Sequence, residues 1–149
     1  MSVKTAKRGR MGQVKVKLLL TNFGDEEAAR NGHIKKEAIR RAEVEALVDT
    51  GATRLVLPGR VARSLGLGRI ARVWVRYANE ERARRDLVGV VTLRLMGRVV
   101  TAEAIVEPEK DYALLGQIPL EALDLHVDSR GQRLLPTPDS PDAPLSEMQ

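Results

Sequence analysis

Asp49 stands where a carboxylate could do chemistry. It follows directly on Ala46-Leu47-Val48 and is followed by Thr50-Gly51-Ala52, then by Leu55-Val56-Leu57 and Pro58. An acid set straight after a buried strand, before a small hydroxyl residue and a Gly, suits a tight loop that presents it to a cleft. Gly51 permits the sharp turn and lets a backbone N–H approach the carboxylate. Thr50 can hold the loop through its hydroxyl, and Ala52 leaves room for a ligand. Asp-Thr-Gly is also sound turn chemistry, so these residues alone leave a purely structural Asp open.

Other chemistries find less support. His33 and His126 lack zinc-ligand spacing and any HExxH arrangement, and read as ordinary surface or core histidines. Ser64 and Ser129 have no GxSxG context. Gly66-Leu67-Gly68 is a turn rather than a phosphate loop, because no third Gly or Lys follows. Cys is absent, which removes disulfides, thiolate catalysis and zinc–cysteine sites together and fits a cytoplasmic protein. Neither a metal nor a cofactor is expected.

The elements that must position Asp49 read mostly as strands. Val14, Val16, Leu18 and Leu20 alternate with Gln13, Lys15 and Lys17, and the ordered pattern begins at Met11-Gly12. Residues 25–30 suit one or two helical turns closed by Asn31-Gly32, and 33–40 are ambiguous. From Arg41, Val44, Ala46 and Val48 share one face and Glu43 and Glu45 the other, running straight into Asp49. Leu55-Val56-Leu57 is followed by a short helix over 59–65 with Gly66 as its stop. Residues 70–77, 87–95 and 98–106 are strands, with Asn79-Glu80 at one hairpin tip and Met96-Gly97 at the next. Trp74 lies on the opposite face from Val73, Val75 and Tyr77, as a hairpin-packing residue or a flap contact. Leu114-Leu115-Gly116 is a brief buried strand, and a second short helix starts near Pro119 and ends near Leu123. Short strands, two short helices and no βαβ rhythm point to an all-β barrel or sandwich.

The 149 residues make one domain's worth of chain, 43% hydrophobic and 30% charged. No apolar run approaches membrane-span length, and the basic start lacks the apolar stretch of a signal peptide. The net charge of +5 could mark a nucleic-acid or acidic partner, but a solvated Arg-rich surface accounts for it. Phe23, Trp74, Tyr77 and Tyr112 are too few aromatics for a base-stacking platform, so nucleic acid is not the expected partner. Lys4, Lys7, Arg8 and Arg10 place residues 1–10 as a flexible basic arm. Residues 11–136 form the domain, and Pro138, Pro141 and Pro144 mark 137–149 as a Pro-rich tail.

The stretch from Ala46 to Pro58 resembles the active-site loop of retropepsin-like aspartic proteases, the retroviral and bacterial single-domain members of the pepsin-related clan. Those proteins carry two apolar residues and a Gly far downstream, leading into a short helix; here these are Leu114-Leu115-Gly116 and residues 118–123. The resemblance extends over residues 12–136, and the run from Leu115 to Asp128 with Arg133-Leu134-Leu135-Pro136 is similar to the ending of bacterial members. It implies a closed β-barrel with two short helices, half of an acid-protease fold, in which the second motif pins the Asp loop.

The resemblance further implies that Asp49 is catalytic, that Thr50 and Gly51 support its loop, and that Ala52, Tyr112 and Leu114 line the substrate cleft. Tyr112 and Leu114 share a strand parity and are at face value equally good core residues. Tyr77, Ala78, Asn79 and Glu80 would form the flap, with Asn79 tolerant of a left-handed turn. Two positions depart from the retroviral pattern: Gln117 replaces an Arg that helps tie subunits together, and the flap tip is not Gly-rich. Pepsin-like catalysis needs two facing carboxylates, yet the chain has one Asp-Thr-Gly, and Asp128-Ser129-Arg130 lacks the Gly. The implied enzyme is therefore a homodimeric endopeptidase acting on peptides or proteins. A dimeric interaction module that keeps the fold with little or no cleavage is the alternative.

Overall fold

The computed structural model describes residues 14–128, 130, 132–138 and 142–146. The proposed arm at 1–10, the start at Met11-Gly12, Ser129 and Pro141 lie outside the described residues.

Alternating apolar side chains build the first two strands, β1 (Lys15–Asn22) and β2 (Arg41–Val48). Leu18 and Leu20 on one strand and Val44 and Ala46 on the other are buried, while Lys15, Lys17, Glu43 and Glu45 face solvent. The two pair antiparallel, with Leu18 opposite Val44 and Leu20 opposite Ala42. Between them lies α1 (Phe23–Arg30), which starts two residues before the expected Asp25. Asn22 explains that start: its side-chain oxygen accepts from the Asp25 N–H at 2.9 Å and caps the helix. The Asn22 side-chain nitrogen donates to the Leu65 carbonyl at 2.8 Å. Gly32 closes the helix at a φ of 79°, and a 3-10 turn over Lys36–Ala38 fills the ambiguous stretch.

The remaining elements are β3 (Leu55–Pro58), α2 (Gly59–Ser64), β4 (Gly68–Arg76), β5 (Arg82–Leu95), β6 (Arg98–Glu107), β7 (Ala113–Leu115), α3 (Gln117–Leu123), β8 (Leu125–Asp128) and β9 (Arg133–Pro136). Strands β1, β2, β7, β3, β6 and β5 pair in that order, and β5 returns to β1, closing a six-stranded barrel. Closure removes the open edges of those six strands. Leu18, Leu20, Leu55, Leu57, Leu93 and Leu115 fill its interior with no exposed surface; full burial of such a side chain contributes about 1.5–3 kcal/mol. Among the described residues, strand β4 pairs only with β5.

Turns fall where the backbone demands them. Met96 and Gly97 both take positive φ, at 53° and 76°, in the tight link from β5 to β6. Gly66 stops α2 at a φ of 65°. Helix α3 begins at Gln117, two residues before the expected start, with Pro119 in its first turn, where a missing N–H costs nothing. Its end is held by Arg98, a residue only 2% exposed, whose guanidinium donates to the carbonyl of Leu123 at 2.8 Å. A cation against the last carbonyls of a helix is favourably placed. Strands β8 and β9 form a separate antiparallel hairpin that the sequence pattern did not indicate.

Candidate active site

Asp49 stands immediately after the last residue of β2, where Val48 pairs with Leu115 of β7. Its own N–H continues that pairing, donating to the Leu115 carbonyl at 3.0 Å, so the second motif physically fixes the loop. Within the loop the Gly51 N–H donates to Asp49 Oδ1 at 2.9 Å, and the Ala52 N–H donates to the Asp49 carbonyl at 3.0 Å. This is an Asx-type turn: the carboxylate is oriented by its own backbone, and among the described residues no donor reaches its other oxygen. Asp49 is half-buried and Thr50 exposed, so the acid is reachable. Among the described residues no ion pair reaches Asp49.

Downstream, the loop is clamped again. The Gln117 N–H donates to the Ala52 carbonyl at 2.8 Å and the Ile118 N–H to the Thr53 carbonyl at 2.9 Å. Gly116 makes this approach possible, because a Cβ there would meet the Arg54 oxygen at 2.4 Å and the Ala52 oxygen at 2.7 Å. Two distant segments thus converge through backbone bonds, leaving the Asp49 side chain as the group they present. The Gln117 side chain donates to Glu121 Oε2 at 3.0 Å, within its own helix.

The wall beside the loop is β7. Ala113 and Leu115 are buried, while Leu114 is half-buried and Tyr112, just before the strand, is exposed. Tyr112 and Leu114 therefore face away from the core, on one side as their parity required. The Lys110 ammonium lies 5.3 Å from the centre of the Tyr112 ring. Arg54 reaches Glu103 of β6 at 3.4 Å.

The hairpin of β4 and β5 turns over residues 77–81. The Tyr77 N–H donates to the Glu81 carbonyl at 2.8 Å, the Glu80 N–H to the Tyr77 carbonyl at 2.9 Å, and Asn79 Oδ1 accepts from the Glu81 N–H at 3.0 Å. Glu80, rather than Asn79, takes the left-handed conformation, at a φ of 71°. Asn79 serves the turn with its side chain instead. Ala78, Asn79 and Glu80 are exposed and Tyr77 turns inward. On the outer face Trp74 is 62% exposed, with the guanidiniums of Arg82 and Arg84 at 5.5 and 5.8 Å from its ring centre. It packs along its own hairpin.

Sequence reasoning missed the inner face of that hairpin. Arg85 Nε donates to Glu107 Oε1 at 3.0 Å, and the Tyr77 hydroxyl donates to Glu107 Oε2. Burial, followed by the bond to Glu107, pushes the Tyr77 phenol above its ordinary pKa, so the hydroxyl keeps its proton. No sequence signal couples residues thirty positions apart in this way; the one hint is an acid closing an apolar strand just before Pro108. Among the described residues no group of three or more His, Cys, Asp or Glu is arranged to hold a metal ion. Among them, too, no helix is long and apolar enough to cross a membrane.

A closed barrel with an Asp-Thr-Gly loop clamped by a Leu-Leu-Gly strand defines a class, and comparison with known proteins gives the same class. The family model described as "gag-polyprotein putative aspartyl protease" matches residues 36–122, more than half of the chain. The chain belongs to that retroviral-type aspartyl protease family, and its barrel is retropepsin-like. No curated protein matches it significantly. Among solved structures, the simian foamy virus (mac) protease in solution is similar at 19% identity, covering 71% of this chain and 90% of that one, with a TM-score of 0.45. The foamy viral protease-reverse transcriptase in complex with an RNA/DNA hybrid is similar at 16% identity, covering 73% of this chain and 12% of that one, with a TM-score of 0.48.

Proposed function

We propose that the chain is an aspartic endopeptidase that acts on peptides or proteins as a homodimer, each protomer supplying Asp49 to one shared site. The observation that carries this reading is the Asp49 loop: a reachable carboxylate, oriented by the Gly51 N–H and clamped on both sides by the strand and helix around Gly116. One Asp-Thr-Gly per chain requires two chains about a two-fold axis. Two acids about 3 Å apart do not both ionise, so the pair holds a single proton. The ionised Asp49 takes a proton from water as the water oxygen attacks the scissile carbonyl carbon. The protonated Asp49 of the second protomer gives its proton to the carbonyl oxygen, forming a gem-diol. On collapse one carboxyl protonates the leaving nitrogen and the other accepts a proton from a gem-diol hydroxyl. The C–N bond breaks and the pair is again singly protonated.

Thr50 and Gly51 support the loop, Ala52, Leu114 and Tyr112 line the cleft, and residues 77–80 cover it. Residues 11–136 are the protease domain on this reading, with 1–10 and 137–149 appended to it. The lack of Cys supports a cytoplasmic site of action. Digestion of a peptide library at several pH values, beside an Asp49→Asn control, tests the proposal. The parent should cleave best at acidic to mildly acidic pH, because the pair must retain one proton. The variant should fold and dimerise yet cleave only at background. Equal cleavage by the variant would make the catalytic assignment wrong. A second reading, a dimeric interaction module, is favoured by Gln117, whose side chain bonds within its own helix at the position expected to tie subunits. A parent that dimerises but cleaves nothing would select it.

A further inference from the structure

The barrel ends several residues before the hairpin does. Strand β6 stops at Glu107, and Pro108, which has no N–H, follows it. Strand β5 pairs with β6 from Leu87 onward, opposite Ile105, whereas residues 82–86 pair, among the described residues, only with β4. Beyond Leu87, β4 and β5 are a two-stranded ribbon, an arrangement that is marginal in water by itself. Its outer face carries exposed Arg72, Trp74 and Arg76, and its inner face carries half-buried Val73, Val75 and Tyr77.

Both oxygens of one carboxylate meet this inner face. Arg85 sits opposite Val73, toward the ribbon's base, and Tyr77 sits at the tip turn, yet Arg85 Nε and the Tyr77 hydroxyl both donate to Glu107. The Arg85 guanidinium also lies 5.8 Å from the centre of the Tyr77 ring. A tip residue reaches a barrel carboxylate only if the ribbon curls toward the barrel. Glu107 is 8% exposed, and a carboxylate so covered is costly unless its oxygens are paired, as these are. Its place in the fold is informative too. Strand β3 leads from the Asp49 loop to Pro58, which lies beside Glu107 across the parallel pairing with β6. Glu107 therefore stands about 10 Å along the sheet from the level of Leu55 and Leu115, at the far end of the wall that carries Leu114.

We propose that Glu107 is a positioning residue that holds the hairpin down through Tyr77 and Arg85, and so sets how the hairpin closes on a bound peptide. The second half of this statement rests on the protease reading; the first does not. Trp74 allows the two to be separated, because it is the chain's single Trp and its ring is stacked within the ribbon itself. Time-resolved fluorescence anisotropy of Trp74 reports ribbon motion without any need for cleavage. Tyr77→Phe, which removes one hydroxyl, and Glu107→Gln, which keeps shape and removes charge, should both increase the amplitude of fast local depolarisation. Thermal midpoints should stay close to the parent's. With a cleavable peptide, both should raise KM several-fold while kcat stays within about twofold, because the tie acts on substrate retention rather than on the carboxylates. Unchanged anisotropy in both variants would show that the hairpin is held otherwise and would overturn the proposal. So would increased motion with unaltered KM. If the parent cleaves nothing the protease reading falls, and the anisotropy pair still decides whether Glu107 holds the hairpin.

Discussion

A Cβ on Gly116 would meet two backbone carbonyl oxygens, and backbone atoms cannot swing aside as a side chain can. Gly116→Ala should therefore cost about 1–3 kcal/mol in denaturant unfolding, the range for overpacking a closed interior. Gly68, with nothing within 4 Å of its built Cβ and no positive φ, is the matched control. Gly68→Ala should stay within about 0.5 kcal/mol of the parent. If both substitutions are equally mild, the loop has room that the geometry denies, and Gly116 is not what fixes Asp49. The requirement falls on this Gly because the Leu115 carbonyl and the Gln117 N–H, on either side of it, both bond to the Asp49 loop. That convergence was partly legible in sequence. Asp49-Thr50-Gly51 and Leu114-Leu115-Gly116 were readable as two motifs, and resemblance to a known family placed them side by side. The Glu107 tie had no such route to discovery. It joins single polar residues across long sequence distance, and such pairs leave no period.

Helix α1 is fixed to the barrel mainly by charge and polar contacts, since none of its residues is buried. Asp25 accepts from Arg40, whose side-chain hydrogen bond is the main reason its carboxyl titrates below the usual range. Burial pushes the Glu26 carboxyl upward, but hydrogen bonds from Thr92, Arg94 and Thr21 outweigh it and leave the net shift downward. A carboxylate with a depressed folded-state pKa contributes stability above its unfolded value, roughly 3.9 for Asp and 4.3 for Glu, and loses it as pH falls through the folded value. Below about pH 4 the contacts of α1 should therefore weaken before the barrel opens. Amide exchange followed across that range should lose protection at Phe23–Arg30 while β1, β2 and β5 remain protected. Simultaneous loss everywhere would mean that α1 is part of the cooperative core. At this scale the barrel strands were the legible elements, because Val14, Val16, Leu18 and Leu20 advertise a period of two. The hairpin of β8 and β9 was not, since two four-residue strands ending at Pro136 are too short to establish alternation and read as the approach to a tail.

The whole molecule, as one chain, presents a single Asp49, so the proposed chemistry belongs to an assembly rather than to the fold. That gives mixing experiments unusual power. Asp49→Asn keeps the size and hydrogen-bonding shape of the side chain, so the variant chain should enter dimers as readily as the parent. When parent is incubated with an equal amount of variant until subunits exchange, random pairing leaves about a quarter of all dimers with two acids, and these are about half as many as the parent alone would form. Cleavage by a fixed amount of parent should fall accordingly, and further as the variant is added in excess. A chain that cleaved as a monomer would show no such inhibition. Dilution supplies an independent check, because the specific activity of a shared-site dimer drops once the concentration falls below its dissociation constant, whereas that of a monomer does not. Sedimentation over the same concentrations should place the loss of activity where the dimer dissociates. Full specific activity at concentrations where only monomer sediments would rule out a site shared by two Asp49 carboxylates.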